Sequence, residues 1–366
     1  MSSMRHVAID LRMYKMSGIG RYLQNLLPAL IPRLSASRIY VLGKSSDLAD
    51  EAWLRDPRIH FREFSARIFS VAEQWAVVAG QYRDIDLLWI PQYNLPLLYR
   101  GKFLVTIHDL CQLAHPEVLA NDLQRSYAKY LFSKVAKRAS AVLCVSEFTA
   151  SEMERYLRID RKRVAVAYPP IEETWNFSTA PLIKPSGSQY LLAVGNFKRN
   201  KNLPRLVDAF SKIRHRIPHD LVLVGRNEGF LNSETELRNI PADIETRVRF
   251  TGHVTDLELN QYYRNADALV FPSFYEGFGY PIVEAMAAGC PIACSNVASL
   301  PEVAGDAALF FDPFNVEDIA QALLRIATDV RMRNDLAERG KRRFLNFAGE
   351  ACADLTAATI NRLLDE

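Results

Sequence analysis

At 366 residues the chain is long for one domain, and a typical domain size of about 150 residues predicts two. A composition of 49% hydrophobic and 24% charged residues excludes a disordered or fibrous protein, and a net charge of only +3 gives no basis for whole-molecule attraction to nucleic acid. No apolar run approaches the roughly 20 residues of a membrane span, and the start, MSSMRHVAIDLRMY, lacks the apolar core of a signal peptide, so the cytoplasm is the expected compartment.

In chain order, short runs rich in Val, Ile and Leu recur at VAIDLR, IYVLG, IHFREF, LLWIP, FLVTIHD, AVLCVS and VAVAYPP. Each precedes a stretch of helical pattern, which is the signature of βα units. After a polar, Pro-containing segment, STAPLIKPSGSQ (178–189), the rhythm restarts with YLLAVGN, LVLVG, VRFTGHV, ALVFPS, PIACSN and ALFFDP. Strands with little alternation predict parallel sheets covered on both faces. The expected fold class is therefore α/β, with two doubly wound, Rossmann-like domains at 1–180 and 181–345. A last helical stretch, about 346–366, is free to pack back onto the first. Such sheets bind ligands in the crevice at the carboxyl ends of their strands, and two of them facing each other would share a cleft.

Charge is unevenly spread. Residues 1–180 hold 24 Lys and Arg against 18 Asp and Glu, leaving 21 against 24 for the remainder. A basic first half favours an anionic membrane surface or a phosphorylated acceptor. RSYAKYLFSKVAKRAS (125–140) has a basic amphipathic pattern, which reads either as a membrane-resting face or as a surface helix packed on its sheet. The five cysteines, odd in number and mostly in apolar settings, read as reduced buried thiols; the close pair in CPIAC lacks metal-site spacing.

The polar motifs cluster just after predicted strands. ALVFPS leads into the turn FYEGFGY and then the helix PIVEAMAAG, with Pro281 at a helix start and Gly289 at its stop. Glycines let backbone approach a ligand, and free N–H groups at a helix start favour an anion such as phosphate. Carboxylates there suit hydroxyls: Glu284, read as lying in the first helical turn, for the vicinal pair of a ribose, and Glu276 for hydroxyls further along the same ligand. The alternative makes Glu284 an acid favoured by the helix dipole and Glu276 a solvated loop residue. VGNFKRNKN crowds Lys198, Arg199 and Lys201 after another strand, which suits a diphosphate leaving group or a plain basic loop. MSGIGRY places Gly18, Gly20 and Arg21 after the first strand, VTIHDL ends a buried strand with His108 and Asp109, and PQYNLP (91–96) follows a further one. DID at 84–86 has the composition of a divalent-ion site on a diphosphate, yet it enters LLWIP at the amino end, away from the crevice; no metal is predicted.

YEGFGYPIVEAMAAGCP resembles the E-x7-E signature of family 4 retaining glycosyltransferases, and SGIGRYLQNLL, VTIHDL, CVSEFTASEM and VGNFKRNKNLPRLVDAF extend the likeness in the family's order over nearly the whole chain. The resemblance implies the GT-B architecture, with the nucleotide-sugar donor on the C-terminal domain and a glycan or lipid-linked acceptor on the N-terminal one. It implies donor contacts from Gly18, Gly20, Asn196, Lys198, Arg199, Lys201, Arg226, His253, Val254, Glu276, Gly277, Phe278, Gly279, Tyr280 and Glu284, and a catalytic set of His108, Lys201 and Glu276. Asn196 and Asn200 stand where many members carry Arg, so Lys198 or Arg199 must substitute. The implied reaction is front-face, retaining transfer of a hexosyl unit from a UDP- or GDP-sugar, without metal or bound cofactor, in bacterial-type polysaccharide or glycolipid assembly. Peripheral contact with the inner membrane face belongs to the same expectation. The rival readings are a nucleotide-sugar epimerase of the same architecture and a catalytically silent nucleotide-sugar-binding subunit. An oxidoreductase is disfavoured, because no glycine fingerprint is followed by an acid about 20 residues on at a strand end.

Overall fold

The computed structural model describes residues 5–49, 51–78, 80–119, 121–171, 189–225 and 245–366. Within them each run read as a strand forms one. The first seven are β1 (His6–Asp10), β2 (Arg38–Gly43), β3 (Ile59–Glu63), β4 (Leu87–Ile90), β5 (Lys102–Ile107), β6 (Ala141–Cys144) and β7 (Val164–Val166). The second set is β8 (Tyr190–Val194), β9 (Asp220–Val224), β10 (Val248–Gly252), β11 (Ala268–Phe271), β12 (Ile292–Ser295) and β13 (Ala308–Phe311). Every pairing is parallel. The sheets run β3-β2-β1-β4-β5-β6-β7 and β10-β9-β8-β11-β12-β13. In both, the order reverses beside the first strand, between β1 and β4 and between β8 and β11, and the loops leaving those strands flank a ready crevice.

The chain divides into two compact units, Met1–Pro170 with Gly349–Glu366, and Ile171–Ala348. The polar segment 178–188 lies outside the described residues. Residues of β4, β6, β9, β11 and β12 are buried without exception, as expected where helices cover both faces. Leu88, Ile90, Phe103, Val105 and Phe132 centre the first core, and Leu191, Leu206, Phe210, Leu223 and Val270 the second.

The C-terminal helix Ala351–Asp365 belongs to the first unit, where it packs against the helix Ser17–Leu30. Arg33 pairs with Glu350 and with Asp354, Ser35 N–H donates to Asn361 Oδ1 at 2.8 Å, and Asn361 Nδ2 returns a bond to Arg33 O at 3.0 Å. The helix buries Cys352, Ala353, Ala357, Ile360 and Leu363. The DID stretch sits at the amino end of β4. There Asp86 Oδ2 accepts from His6 N–H at 2.8 Å and ties the starts of β1 and β4 together. All five cysteines are free thiols, and burial pushes Cys290 up to about 12.

Candidate active site

In the second unit the loops after β8 and β11 meet at the switch point. From β8 the backbone passes Gly195, a short turn at Arg199–Lys201 and Asn202, then enters the helix Leu203–Ile213. From β11 it passes 272–279 and enters the helix Tyr280–Ala288. The two loops are joined by an ion pair, Lys201 Nζ to Glu276 Oε1 at 2.6 Å, with both side chains about one-sixth exposed at 16% and 15%. Lys201 Nζ also stands 5.0 Å from the centre of the Phe271 ring. Asn200 Nδ2 donates to Tyr275 O at 2.9 Å and lies 3.4 Å from Glu276 Oε1, and Phe274 N–H donates to Asn200 O. Ser299 Oγ donates to the carbonyls of Glu276 and Phe278 at 2.9 and 3.0 Å, which holds the turn from beneath.

The turn depends on Gly279, whose φ of 97° is open to glycine; a Cβ there would stand 2.9 Å from Leu300 Cδ2. Pro281 and Gly289 bound the next helix as read from the sequence. Glu284 is placed differently. The helix starts at Tyr280, so Glu284 lies beyond its first turn, facing the helix Asp256–Asn265 at 2% exposure and accepting from Tyr263 Oη at 2.8 Å. A helix-dipole role for Glu284 is thereby removed, because that effect fades beyond the terminal turn. Of the basic loop, Lys198 and Arg199 are exposed, Asn196 is half-buried, and Lys201 turns to the glutamate.

The edge is completed by the strand ends next to β8. Gly195 N–H donates to Val224 O, and Gly225 N–H to Gly252 O. The backbones approach so closely that a Cβ on Gly225 would lie 2.0 Å from Gly195 O. Gly225→Ala is therefore expected to force the β8 and β9 ends apart, costing about 2 kcal/mol or more of unfolding free energy by chemical denaturation. His253 and Val254 follow β10, with His253 exposed; Arg226 lies outside the described residues.

Asn202, which sequence reasoning missed, braces these loops. It has left-handed backbone (φ 57°), is 3% exposed, and donates through Nδ2 to Pro272 O at 3.1 Å and Pro313 O at 2.7 Å. Its signal was an asparagine directly ahead of a Leu-Pro helix start, since Asn tolerates that conformation better than other non-glycine residues.

In the first unit Gly18 and Gly20 lie in the first turn of the helix Ser17–Leu30, Gly18 exposed and Gly20 buried, with Arg21 half-buried beside them. His108 follows β5. Its Nε2 is 2.9 Å from Pro91 O and its ring meets Tyr22 edge-on at 5.0 Å. Burial lowers its pKa to about 4 against the opposing pull of the Pro91 carbonyl. The ring is neutral at ordinary pH and donates to a carbonyl that can only accept, so Nδ1 carries the lone pair. Asp109 Oδ1 accepts from Cys111 N–H at 2.9 Å.

Between β1 and β4 lies a second group that the motifs did not announce. Arg12, its side chain 4% exposed, pairs with Asp10 and, at 2.6 Å, with Glu73; Asn94 Nδ2 reaches Asp10 Oδ2 at 3.3 Å and Glu73 Oε1 at 3.1 Å. Burial opposes the Arg12 charge, but Asp10 and Glu73 outweigh it and its pKa is raised. Burial also pushes the Glu73 carboxyl above its ordinary value, against the pull of Arg12 and Asn94.

This geometry coincides with known sequence families. Residues 176–343 match the family described as Glycosyl transferases group 1, and residues 16–175 match Glycosyltransferase Family 4. The chain is 31% identical over 373 residues to O-antigen chain mannosyltransferase B of Escherichia coli, covering 95% of this chain and 96% of that one. Among solved structures it resembles sucrose-phosphate synthase from Thermosynechococcus elongatus (TM-score 0.77, 20% identity, 99% of each chain). It also resembles Anabaena HepE in complex with UDP-glucose (TM-score 0.72, 17% identity, 98% of each chain). Two doubly wound units with these likenesses make the architecture GT-B, and the chain belongs to the group 1 glycosyltransferases.

Proposed function

We propose that the enzyme is a retaining mannosyltransferase of bacterial polysaccharide assembly, carrying a hexosyl unit from a nucleotide-diphosphate sugar to a hydroxyl of a glycan or lipid-linked acceptor. The observation that carries this reading is the Lys201–Glu276 pair at the switch point of the second unit, reached by a glycine turn that opens a helix. The name of the Escherichia coli relative supports mannose as the sugar and an O-antigen-like glycan as the product. Lys201 and the backbone amides of 277–280 meet the diphosphate and stabilise its growing charge as the glycosidic bond breaks. Glu276 addresses the sugar hydroxyls. Glu284, oriented by Tyr263, addresses the ribose. Asn196, Lys198 and Arg199 border the phosphates, and Arg226, His253 and Val254 the base. In the first unit, the backbone at Gly18 and Gly20 is suited to a donor phosphate, and neutral His108 is suited to accept from a sugar hydroxyl rather than to supply a proton. The departing phosphate takes the acceptor's proton on the same face of the sugar, which retains configuration.

A thermal-shift panel of GDP-mannose, UDP-glucose and ADP-glucose, paired with product analysis without acceptor, tests the reading. GDP-mannose is expected to stabilise the protein by about 2.7 kcal/mol at a hundredfold excess over its dissociation constant, with no other nucleotide-sugar formed. Conversion of donor to a different nucleotide-sugar without acceptor would overturn transfer as the activity, and stabilisation by UDP-glucose alone would overturn mannose.

A further inference from the structure

Phe69 is held in an uncommon way. Its backbone is left-handed, at φ 62°, a conformation open to glycine and asparagine and costly for a bulky side chain. A loop that only had to turn would carry one of those residues instead. Two bonds from the buried ion group keep the segment in place: Phe69 N–H donates to Glu73 Oε2 at 3.0 Å, and Arg12 Nη1 donates to Ala66 O at 3.0 Å. The ring they present is 38% exposed. Strain that the surroundings over-determine in this way gathers at ligand sites.

The ring belongs to a larger aromatic surface. Tyr93, half-buried, lies 5.2 Å from it at an interplanar angle of 31° and is stacked in turn on the buried Phe132 at 4.2 Å and 20°. Tyr127, on the helix Asp122–Arg138, meets Phe69 edge-on at 6.4 Å. Polar groups border the rings: the Gln112 side chain bonds with the Tyr93 hydroxyl, and exposed Asp109 stands near enough for its charge to act on that hydroxyl. Phe69 follows β3, Tyr93 follows β4, and Asp109 and Gln112 follow β5, so the surface lies at the carboxyl edge of the first sheet, where such sheets take ligands. The loop after β4 also ties it to the histidine. Within four residues that loop places Pro91 O against His108 Nε2, Tyr93 among the rings and Asn94 in the ion group.

We propose that Phe69 and Tyr93 form a sugar-stacking platform, which holds one hexose ring of the acceptor glycan beside His108 and makes acceptor affinity depend on an aromatic side chain at position 69. The proposal deepens the reading of a glycan acceptor and rests on it for the ligand's part in the reaction, while the platform's chemistry stands on these residues. One face of a pyranose carries polarised C–H bonds, which suit the negative face of an aromatic ring, and its rim carries hydroxyls, which suit Asp109 and Gln112. An acyl chain laid over the same surface would leave those polar groups without partners.

Kinetics of the full chain with GDP-mannose and mannotriose, a soluble probe free of lipid, test the platform. Phe69→Ala is expected to raise KM for mannotriose about three- to tenfold, the loss of one stacking contact, with the calorimetric dissociation constant of GDP-mannose unchanged. Phe69→Tyr, which keeps the ring, should restore the wild-type KM. Saturation-transfer NMR with mannotriose and GDP reads the contact without turnover: irradiating the aromatic protons should saturate C–H protons of one sugar ring in the wild type and not in Phe69→Ala. A wild-type KM in Phe69→Ala, or wild-type protein that transfers no saturation to mannotriose, overturns the proposal. So does a concentration-dependent dimer without sugar that Phe69→Ala dissolves, which would assign the rings to a second copy. Saturation transfer that depends on Phe69 in a protein without transferase activity would count against the proposed reaction and leave the platform standing.

Discussion

Replacing Lys201 with alanine is expected to lower kcat for sugar transfer by about 10²–10³-fold, the usual effect of removing one charge-stabilising donor from a preorganised site. The ammonium lies 2.6 Å from Glu276 and 5.0 Å from the Phe271 ring centre. It is held by its own surroundings before any ligand arrives. Charge on a diphosphate leaving group grows only as the bond breaks, so the loss should fall on kcat and leave KM for donor nearly unchanged. Glu276→Ala should reduce transfer comparably, and the double variant should lose much less than the product of the two single losses because the groups act as one unit. Circular dichroism and melting should place both single variants within about 1–2 kcal/mol of wild type, since the pair is partly solvated and Asn200 remains beside it. Near-normal kcat in both would remove the pair from the chemistry.

The second large effect concerns stability. Arg12→Ala is expected to destabilise the first unit by about 3–5 kcal/mol, because it strands two buried carboxylates that now share one cation. Glu73→Gln should cost far less, since the amide keeps a partner for Asn94 and removes a buried charge. The two variants also separate by pH. The Glu73 carboxyl is raised in the fold by burial, so the folded protein binds a proton there more tightly than the unfolded chain. Its contribution to stability is present in full below the ordinary glutamate range and is lost as pH rises through the raised folded value. Urea titrations of the first unit should show this fall in the wild type and its absence in Glu73→Gln. Without the arginine the carboxyl rises further, so the Arg12→Ala loss should be larger at pH 8 than at pH 5. An Arg12→Ala loss under 1 kcal/mol, flat with pH, would contradict the buried network.

The strands and the glycine turn were legible because their signals are local. VAIDLR or ALVFPS needs only its own apolar run to be read as a buried parallel strand, and Pro281 and Gly289 announce the helix between them. Lys201 and Glu276 were found as separate motifs; their contact, which neither motif announces, arises because β8 and β11 are neighbours in the sheet. What escaped depends on partners brought together by topology. Arg12 meets Glu73 across 61 positions, and Asn94 meets Asp10 across 84. VAEQWAVV, read alone, invites burial of Trp75 and exposure of Glu73; the partners that reverse this lie on other elements. Glu284 was misplaced by less than a turn, enough to change its neighbour from a helix terminus to Tyr263.

The first unit is finished from far along the sequence, by residues that follow the whole of the second unit. Helix Ala351–Asp365 covers the flank of the helix Ser17–Leu30 and gives Arg33 and Ser35 their partners through Asp354 and Asn361, yet the entire second unit is translated between them. A nascent chain therefore carries an uncovered apolar flank on the helix Ser17–Leu30 until residues 351–365 have emerged, a period in which chaperone capture competes with self-assembly.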